Sequence, residues 1–417
     1  MTTQTVKIQS MGAQGDGIAH CPDGTVYVPF SLPGETVAIA RVKDQGTIMS
    51  ISEASAQRRE PLCRHFGPDG QGGTTCGGCS LQHMGDEAYH EFKRDLVVSA
   101  LKAKGLAPEV DALVTCQPKQ RRRAVFALRK TEKSMLLGFS QAGSHHIVDI
   151  AECPVTSDGI VSRLNDLRAI GTAMVQSAEP FRMTVLESLS GLDVAVEGIK
   201  SVNDKQRHVL TQTVLAMRGI ARVSLNGEIL IEPQKPALKF GKAEVSPPPG
   251  NFTQATIAAE NAMADIVVGH FGKAKRVVDL FAGCGTFSLR LAEKSQVLAV
   301  EGDDKAIKAL DAGARKTQGL KPVKAEKRDL FRRPLMTSEL KTFDAVVFDP
   351  PRAGAEAQSK ELARSTIKKI AAVSCNPLTL ARDLSILVEG GYRIVRVVPV
   401  DQFLWSPHVE AVALLEK

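Results

Sequence analysis

Arg276-Val277-Val278-Asp279-Leu280-Phe281-Ala282-Gly283-Cys284-Gly285-Thr286-Phe287-Ser288 decides the fold of this chain. A run of strand length, Arg276–Phe281, passes through two glycines and enters a helical pattern over Thr286–Lys294. Gly283 and Gly285 let the backbone approach a ligand closely. A helix at about Thr256–Gly269 precedes this unit. Downstream the alternation repeats: strand Val297–Val300, a helix around Asp304–Thr317, strand Phe343–Phe348, a helix near Ala357–Arg364 and strand Ala371–Ser374. A last helix and strands close the pattern. Strands alternating with helices predict an α/β domain, doubly wound and Rossmann-like, whose mostly parallel sheet is covered on both faces.

The motifs on this frame carry chemistry. Asp279-x-x-x-Gly283-x-Gly285 is not the dinucleotide Gly-x-Gly-x-x-Gly. It is the form typical of S-adenosylmethionine (SAM) sites. Glu301 ends the second strand 22 residues after Asp279, where a carboxylate can grip ribose hydroxyls. Cys284, inside the loop, reads as a small packing residue. Asp349-Pro350-Pro351-Arg352 sits at a strand's carboxyl end, where open α/β sheets place ligands, and its prolines fix a turn that aims Asp349 into the cleft. Cys375 follows in Val373-Ser374-Cys375-Asn376-Pro377, and Glu410 in His408-Val409-Glu410. A buried cysteine can be structural. At a strand end beside a proline turn in a SAM site, it reads as a nucleophile. A thiol is needed where the methyl acceptor is a carbon too poor to react unaided, which points to a pyrimidine ring.

Working outward, residues 1–57 alternate apolar and polar (Val6, Ile8; Val26, Val28, Phe30; Val37, Ile39; Ile48, Ile51) between glycine bends. This predicts a partly open five-stranded, OB-like barrel, a common nucleic-acid platform. Residues 58–249 read as a cysteine segment and a central α+β region. They include a helix over Glu87–Lys104 that can pack on the catalytic domain. Arg121-Arg122-Arg123 reads as a basic cluster that contacts RNA. Pro247-Pro248-Pro249-Gly250 marks a linker, after which residues 250–417 form the catalytic domain.

The 417 residues are 43% hydrophobic and 24% charged, ordinary for a soluble globular protein. No apolar run reaches membrane length and the N-terminus has no signal core, so a cytoplasmic monomer without membrane contact is expected. The formal charge of +7 is compatible with nucleic acid. Eight cysteines in such a setting argue against a disulfide framework. Cys63, Cys76, Cys79 and Cys153 instead suggest four thiolates on one metal centre, and ligand type alone suits either zinc or an iron–sulfur cluster.

Together these residues resemble the RNA (uracil-5-)-methyltransferase family, in its 23S ribosomal RNA branch, over nearly the whole chain. The resemblance implies that residues 1–57 are a TRAM domain. It implies that Cys63, Cys76, Cys79 and Cys153 hold a [4Fe–4S] cluster, with zinc as the alternative. Gln254, Asp279, Phe281, Gly283, Gly285, Glu301, Asp329 and Asp349 become the SAM site, Asp349 also bonding the uracil. Cys375 becomes the nucleophile that adds to C6, and Glu410 the base that removes the C5 proton. Three departures stand out. Twelve residues intervene between Cys63 and Cys76, more than is usual, and Thr256 replaces a common Asn. Leu404-Trp405-Ser406-Pro407 replaces a Pro-x-Thr-Ser-like run, so Trp405 either shapes the substrate pocket or packs. The expected substrate is 23S ribosomal RNA. A transfer-RNA substrate and a non-catalytic RNA-binding factor are the other readings. Intact Cys375, Asp349 and Glu410 argue against the last.

Overall fold

The computed structural model describes residues 2–68, 75–175 and 177–417. The N-terminal strands are β1 (Thr2–Lys7), β2 (Ser10–Met11), β3 (Gly17–Cys21), β4 (Gly24–Val28), β5 (Thr36–Val42) and β6 (Gln45–Glu53). They pair in the order β1-β5-β6-β4-β3-β2. Val6 of β1 and Ala19 of β3 lie far apart in that order yet share one apolar cluster with Val28 and Ile39. The sheet is therefore rolled around its core. Five strands were expected, and the described residues hold six. Gly12 and Gly15 bond across a tight turn that folds Ser10–Met11 back onto β3.

After the cysteine segment comes α1 (Asp86–Lys102), with Gly105 at φ 71 just beyond its end. Its apolar face (Val97, Ala100, Leu101) is buried in the core of the C-terminal sheet. The central region consists of β7 (Arg123–Lys130), β8 (Met135–Ser140), β9 (Ile147–Asp149), α2 (Asp158–Val161) and α3 (Leu164–Met174). It continues through β10 (Phe181–Ser188), β11 (Gly191–Glu197), α4 (Asp204–Ala216), β12 (Ile220–Leu225) and β13 (Glu228–Ile231). Leu167 and Ile170 of α3 and Leu210 and Val214 of α4 pack with Phe126, Val185 and Val194 of the sheet. The hairpin β14 (Leu238–Phe240) and β15 (Ala243–Val245) buries Phe240 and Val245 with Cys284 and Leu289. Cys284 is thus a packing residue, as its setting in the loop suggested. The Pro247–Gly250 run lies against the central sheet, where Arg222 donates to the Pro247 carbonyl at 2.8 Å.

The C-terminal region runs α5 (Ile257–Phe271), β16 (Arg276–Leu280), α6 (Ser288–Leu291), β17 (Gln296–Glu301), α7 (Asp304–Lys316), β18 (Val323–Lys327) and α8 (Thr337–Leu340). It ends with β19 (Ala345–Phe348), α9 (Glu356–Ala363), β20 (Lys369–Ser374), α10 (Pro377–Glu389), β21 (Arg393–Val400) and β22 (Glu410–Glu416). The order β18-β17-β16-β19-β20-β22-β21 is parallel through β20, and β22 runs antiparallel to both its neighbours. Alternate residues face opposite layers: Val278 and Val346 one core, Val277 and Val347 the other. The chain reverses its direction of travel across the sheet between β16 and β19, the position at which such sheets bind ligands.

One expectation fails at the joint between the central and C-terminal regions. Arg122 does not face RNA. It is buried, donates to Glu260 on α5 at 2.5 Å and to the Gln254 carbonyl at 3.2 Å. Strand alternation turns the middle residue of a basic run inward, and burial of the pair makes charge reversal there a perturbation of the fold. Arg121 and Arg123 flank it, stacked over Phe403 and Phe252 at 5.8 and 6.0 Å from the ring centroids.

Candidate active site

Three strand ends bring the reactive groups together. β19 runs out into Asp349 and β20 into Cys375, while β22 begins at Glu410. In the β20–β22 ladder Ser374 pairs with Ala411. Continuing that register by one residue sets Cys375 opposite Glu410. Asn376 caps α10 through Leu378 N–H at 3.1 Å, and Pro377 opens the helix, so the thiol sits just before a helix N-terminus. Burial, followed by the carboxylates of Glu410 and Asp349, pushes the Cys375 thiol up to about 11, with Arg352 acting the other way. The thiol, Arg352 and His408 line a groove of about 620 Å³ that reaches Phe92 on α1 and Gln14 and Pro33 of the N-terminal sheet. Burial lowers the His408 pKa, and the neutral ring stands 3.1 Å from an Arg352 nitrogen at the groove's edge.

The two acids are unlike surface carboxyls. Burial raises Asp349 to about 7, and burial with the Asp349 charge raises Glu410 to about 8. Gln254 donates to Asp349 at 2.9 Å, and Gln402 donates to Glu410 at 2.6 Å and to Gln254 at 2.7 Å. Gln402 has no place in the sequence reading. A lone amide carries no spacing signal, and two of its three partners, Gln254 and Ala255, lie 148 and 147 residues away.

The cofactor candidates converge at the switch point. Phe281 has φ 60, Gly283 φ 54 and Gly285 φ 105, a left-handed turn that costs a phenylalanine free energy and is concentrated at functional sites. A Cβ at Gly283 would meet nothing within 4 Å, so the turn forms an open cradle. Glu301 accepts Gly283 N–H at 2.9 Å and Asp303 N–H at 2.8 Å, which ties the acid to the loop. Asp279 is fully buried and raised to about 7 by burial. Its Oδ2 accepts from Ser288 at 2.5 Å, and Oδ1 has no partner among the described residues. An orphan acceptor beneath an open glycine cradle fits a ligand with both an amino-acid and a ribose end. Asp329 is exposed at the end of β18 and turns the chain by accepting Phe331 N–H at 3.0 Å. Phe331, which the sequence did not single out, packs on Phe281 at 5.4 Å and is otherwise exposed.

The four clustered cysteines line one cavity of about 540 Å³ with Arg121, Phe403 and His408. Burial raises Cys63 to about 11 and lifts Cys76 and Cys79, and their mutual charges add to it. Thiols so placed ionise readily only with a cation among them. The set therefore fits a metal centre in donor chemistry. Among the described residues, no three Cys, His, Asp or Glu side chains come together closely enough to hold a metal ion as placed. Residues 69–74, within the long Cys63–Cys76 loop, lie outside the described residues.

This cavity shares the 401–409 loop with the active site. Ser80 and Leu81 N–H donate to the Trp405 carbonyl at 2.9 and 3.1 Å. Tyr89 accepts Trp405 N–H at 2.8 Å and donates to Asp401 at 2.7 Å, while buried Lys93 holds Asp401 at 3.0 Å and the carbonyls of Phe403 and His408. Trp405 packs with Leu81 and Tyr89 and is buried. Its side chain anchors the loop and does not line the groove.

A family model described as tRNA (Uracil-5-)-methyltransferase matches residues 243–417. An uncharacterized RNA methyltransferase of Agrobacterium fabrum is 76% identical over 417 residues, 100% of both chains. A 23S rRNA (uracil(1939)-C(5))-methyltransferase of Chromohalobacter salexigens is 31% identical, over 100% of this chain and 90% of its own. Among solved structures, the tRNA (uracil-54, C5)-methyltransferase of Pyrococcus abyssi in complex with S-adenosyl-L-homocysteine shares the fold. Its TM-score is 0.77 at 24% identity, with 99% of each chain covered.

Proposed function

The chain belongs to the RNA (uracil-5-)-methyltransferase family as a SAM-dependent enzyme, and from that premise we propose that it methylates a uridine of 23S ribosomal RNA at C5 through a covalent Cys375 adduct. The observation that carries the covalent reading is the strand register that sets Cys375 against Glu410 with Asp349 beside them. Bound SAM supplies an electrophilic methyl group. Asp279, Glu301, Gly283, Gly285, Phe281, Gln254, Asp329 and Asp349 are the residues proposed to hold it.

Cys375 acts first. Its thiol gives up its proton to solvent, the thiolate sulfur adds to C6 of the ring, and the electron pair displaced onto O4 and C5 makes C5 nucleophilic. Asp349, half-buried at the turn, orients the ring's polar edge. When C5 carries its methyl group, Glu410 takes the C5 proton, the C5–C6 double bond re-forms, and the Cys375 sulfur leaves. The uridine must be unstacked to reach the thiol. The groove from Cys375 to the N-terminal sheet supports a strand path there, with that sheet as the TRAM module.

Ribosomal RNA is favoured by the full-length relationship to a 23S rRNA enzyme. The N-terminal sheet does not choose, because the Pyrococcus abyssi tRNA enzyme matches 99% of this chain. Nucleoside mapping of a deletion strain decides the matter. Ribosomal RNA is expected to lose one 5-methyluridine while transfer RNA keeps its own, and the opposite pattern overturns the ribosomal reading.

Cys63, Cys76, Cys79 and Cys153 are proposed to hold a [4Fe–4S] cluster that shapes the RNA-facing surface and takes no part in methyl transfer. Four thiols lining one cavity match the four ligands a cubane takes, and the same donor set suits one zinc ion. Protein purified without oxygen is expected to carry about four irons per chain, and Cys76→Ala to lose them. One tightly bound zinc and no iron would refute the cluster.

A further inference from the structure

The mechanism leaves one buried polar side chain unused, and it touches the machinery at three points. Gln402 Oε1 accepts Ala255 N–H at 2.8 Å. A backbone N–H can only donate, so this bond decides which end of the amide is oxygen. Gln402 Nε2 must then point the other way, donating to Glu410 Oε2 at 2.6 Å and Gln254 Oε1 at 2.7 Å. With its oxygen engaged, Gln254 turns its own Nε2 to Asp349 Oδ2 at 2.9 Å. One backbone N–H thus sets the polarity of the whole chain, and both acids receive donors. Gln254, Gln402 and Glu410 are each at most 3% exposed, so water does not compete.

We infer that Gln402 is a positioning residue that favours the ionised, proton-accepting form of Glu410 and couples that state, through Gln254, to Asp349. The inference rests on Glu410 as the base. Among the described residues, Gln402 is the only side chain that donates a hydrogen bond to Glu410. Burial and the Asp349 charge push the Glu410 pKa upward, and the Gln402 bond opposes them. The other charges nearby do not replace it. Cys375 lies opposite on the β20 side, Arg352 pairs with His408 at the groove's edge, and Lys93 of α1 is neutralised by Asp401. The amide also aims one Glu410 oxygen, leaving Oε1 for the C5 proton.

The test separates proton removal from methyl transfer. Ribosomal RNA labelled with [5-³H]uridine in a deletion strain releases tritium when C5 loses its proton, while labelled SAM reports methyl incorporation in a single turnover. Release by the wild-type chain should rise with pH through about 8. Gln402→Leu should move that inflection alkaline by about one unit, slowing release roughly tenfold at pH 7. Methyl incorporation should fall less than tritium release does, and without the shift in inflection. Gln402→Glu keeps an acceptor for Ala255 but puts a carboxylate where the donor stood, and should shift the inflection further. An unchanged inflection in either folded variant overturns the inference. So does a Gln402→Glu chain that fails to fold, since that would make the residue structural. Glu410→Gln discriminates the two ideas. If it releases tritium normally, the base assignment fails. If it stalls while the Gln402 variants release normally, only the role of Gln402 fails.

Discussion

Cys375→Ala is expected to abolish turnover, by at least about 10⁴-fold, and to form no covalent complex with RNA. The size follows from chemistry. Without addition at C6, C5 of uracil has too little electron density to attack a sulfonium methyl group, and no other group at the site can substitute. Asp349 and Glu410 are both acids, and Arg352 is a cation. The fold should be spared, because Cys375 is half-buried and the cap that starts α10 belongs to Asn376. Loss of one small side chain there costs about 1 kcal/mol or less. Thermal melting therefore checks that inactivity is chemical, and RNA carrying 5-fluorouridine should trap the wild-type chain but not the variant. An active Cys375→Ala protein would end the covalent reading.

Glu410→Gln should give the opposite picture on a denaturing gel. Addition and methyl transfer proceed, elimination stalls, and a protein–RNA complex carrying one labelled methyl group persists. Multiple turnover should fall by about 10²- to 10⁴-fold, the usual worth of a general base. The same variant has a thermodynamic signature. Burial raises Glu410 to about 8, so the folded chain holds this proton more tightly than the unfolded one. The sign is then set: the carboxyl contributes stability below its ordinary range near 4.5, and loses it as pH rises towards 8. A glutamine does not ionise and escapes that loss. Glu410→Gln should therefore melt above the wild-type chain at pH 8, with the gap shrinking towards pH 5. A gap independent of pH would place Glu410 in an unstrained setting and remove this account of its charge.

The parts of the site that could be read from sequence sit where a strand ends beside a residue with only one chemical use. Gly283, Gly285, Asp349, Cys375 and Glu410 are of this kind, and the folded chain sets them along one edge of the sheet, from the switch point between β16 and β19 to the β20–β22 pair. Other features depend on pairs that only folding creates. Lys93 and Asp401 are 308 residues apart and neither lies in a motif, yet they form a fully buried ion pair. Gln402 gains its role from Ala255 N–H, which no side-chain pattern can announce. Arg122 was misread for a different reason. Three arginines in a row look like surface charge, but the middle one alternates inward to Glu260. The edge strand β18, Val-Lys-Ala-Glu-Lys, was missed because it is short and three of its five residues are charged, so its alternation rests on Val323 and Ala325 alone. The helix expected over Thr286–Lys294 shrinks to Ser288–Leu291, because the left-handed turn at Gly283 and Gly285 delays the first helical residue until Ser288 braces Asp279.

Trp405 is the single tryptophan of the chain. Its ring lies under Arg59 at 5.5 Å, its carbonyl carries the cysteine segment, and its N–H rests on Tyr89 of α1. The molecule therefore has one indole fluorophore, at the junction where the thiol cavity, the first helix and the loop leading to Glu410 meet. Its emission reports on that junction without a label. Light absorbed by any chromophore bound among the neighbouring thiols would be read out in the same signal, so one optical channel observes the cysteine segment and the catalytic loop together.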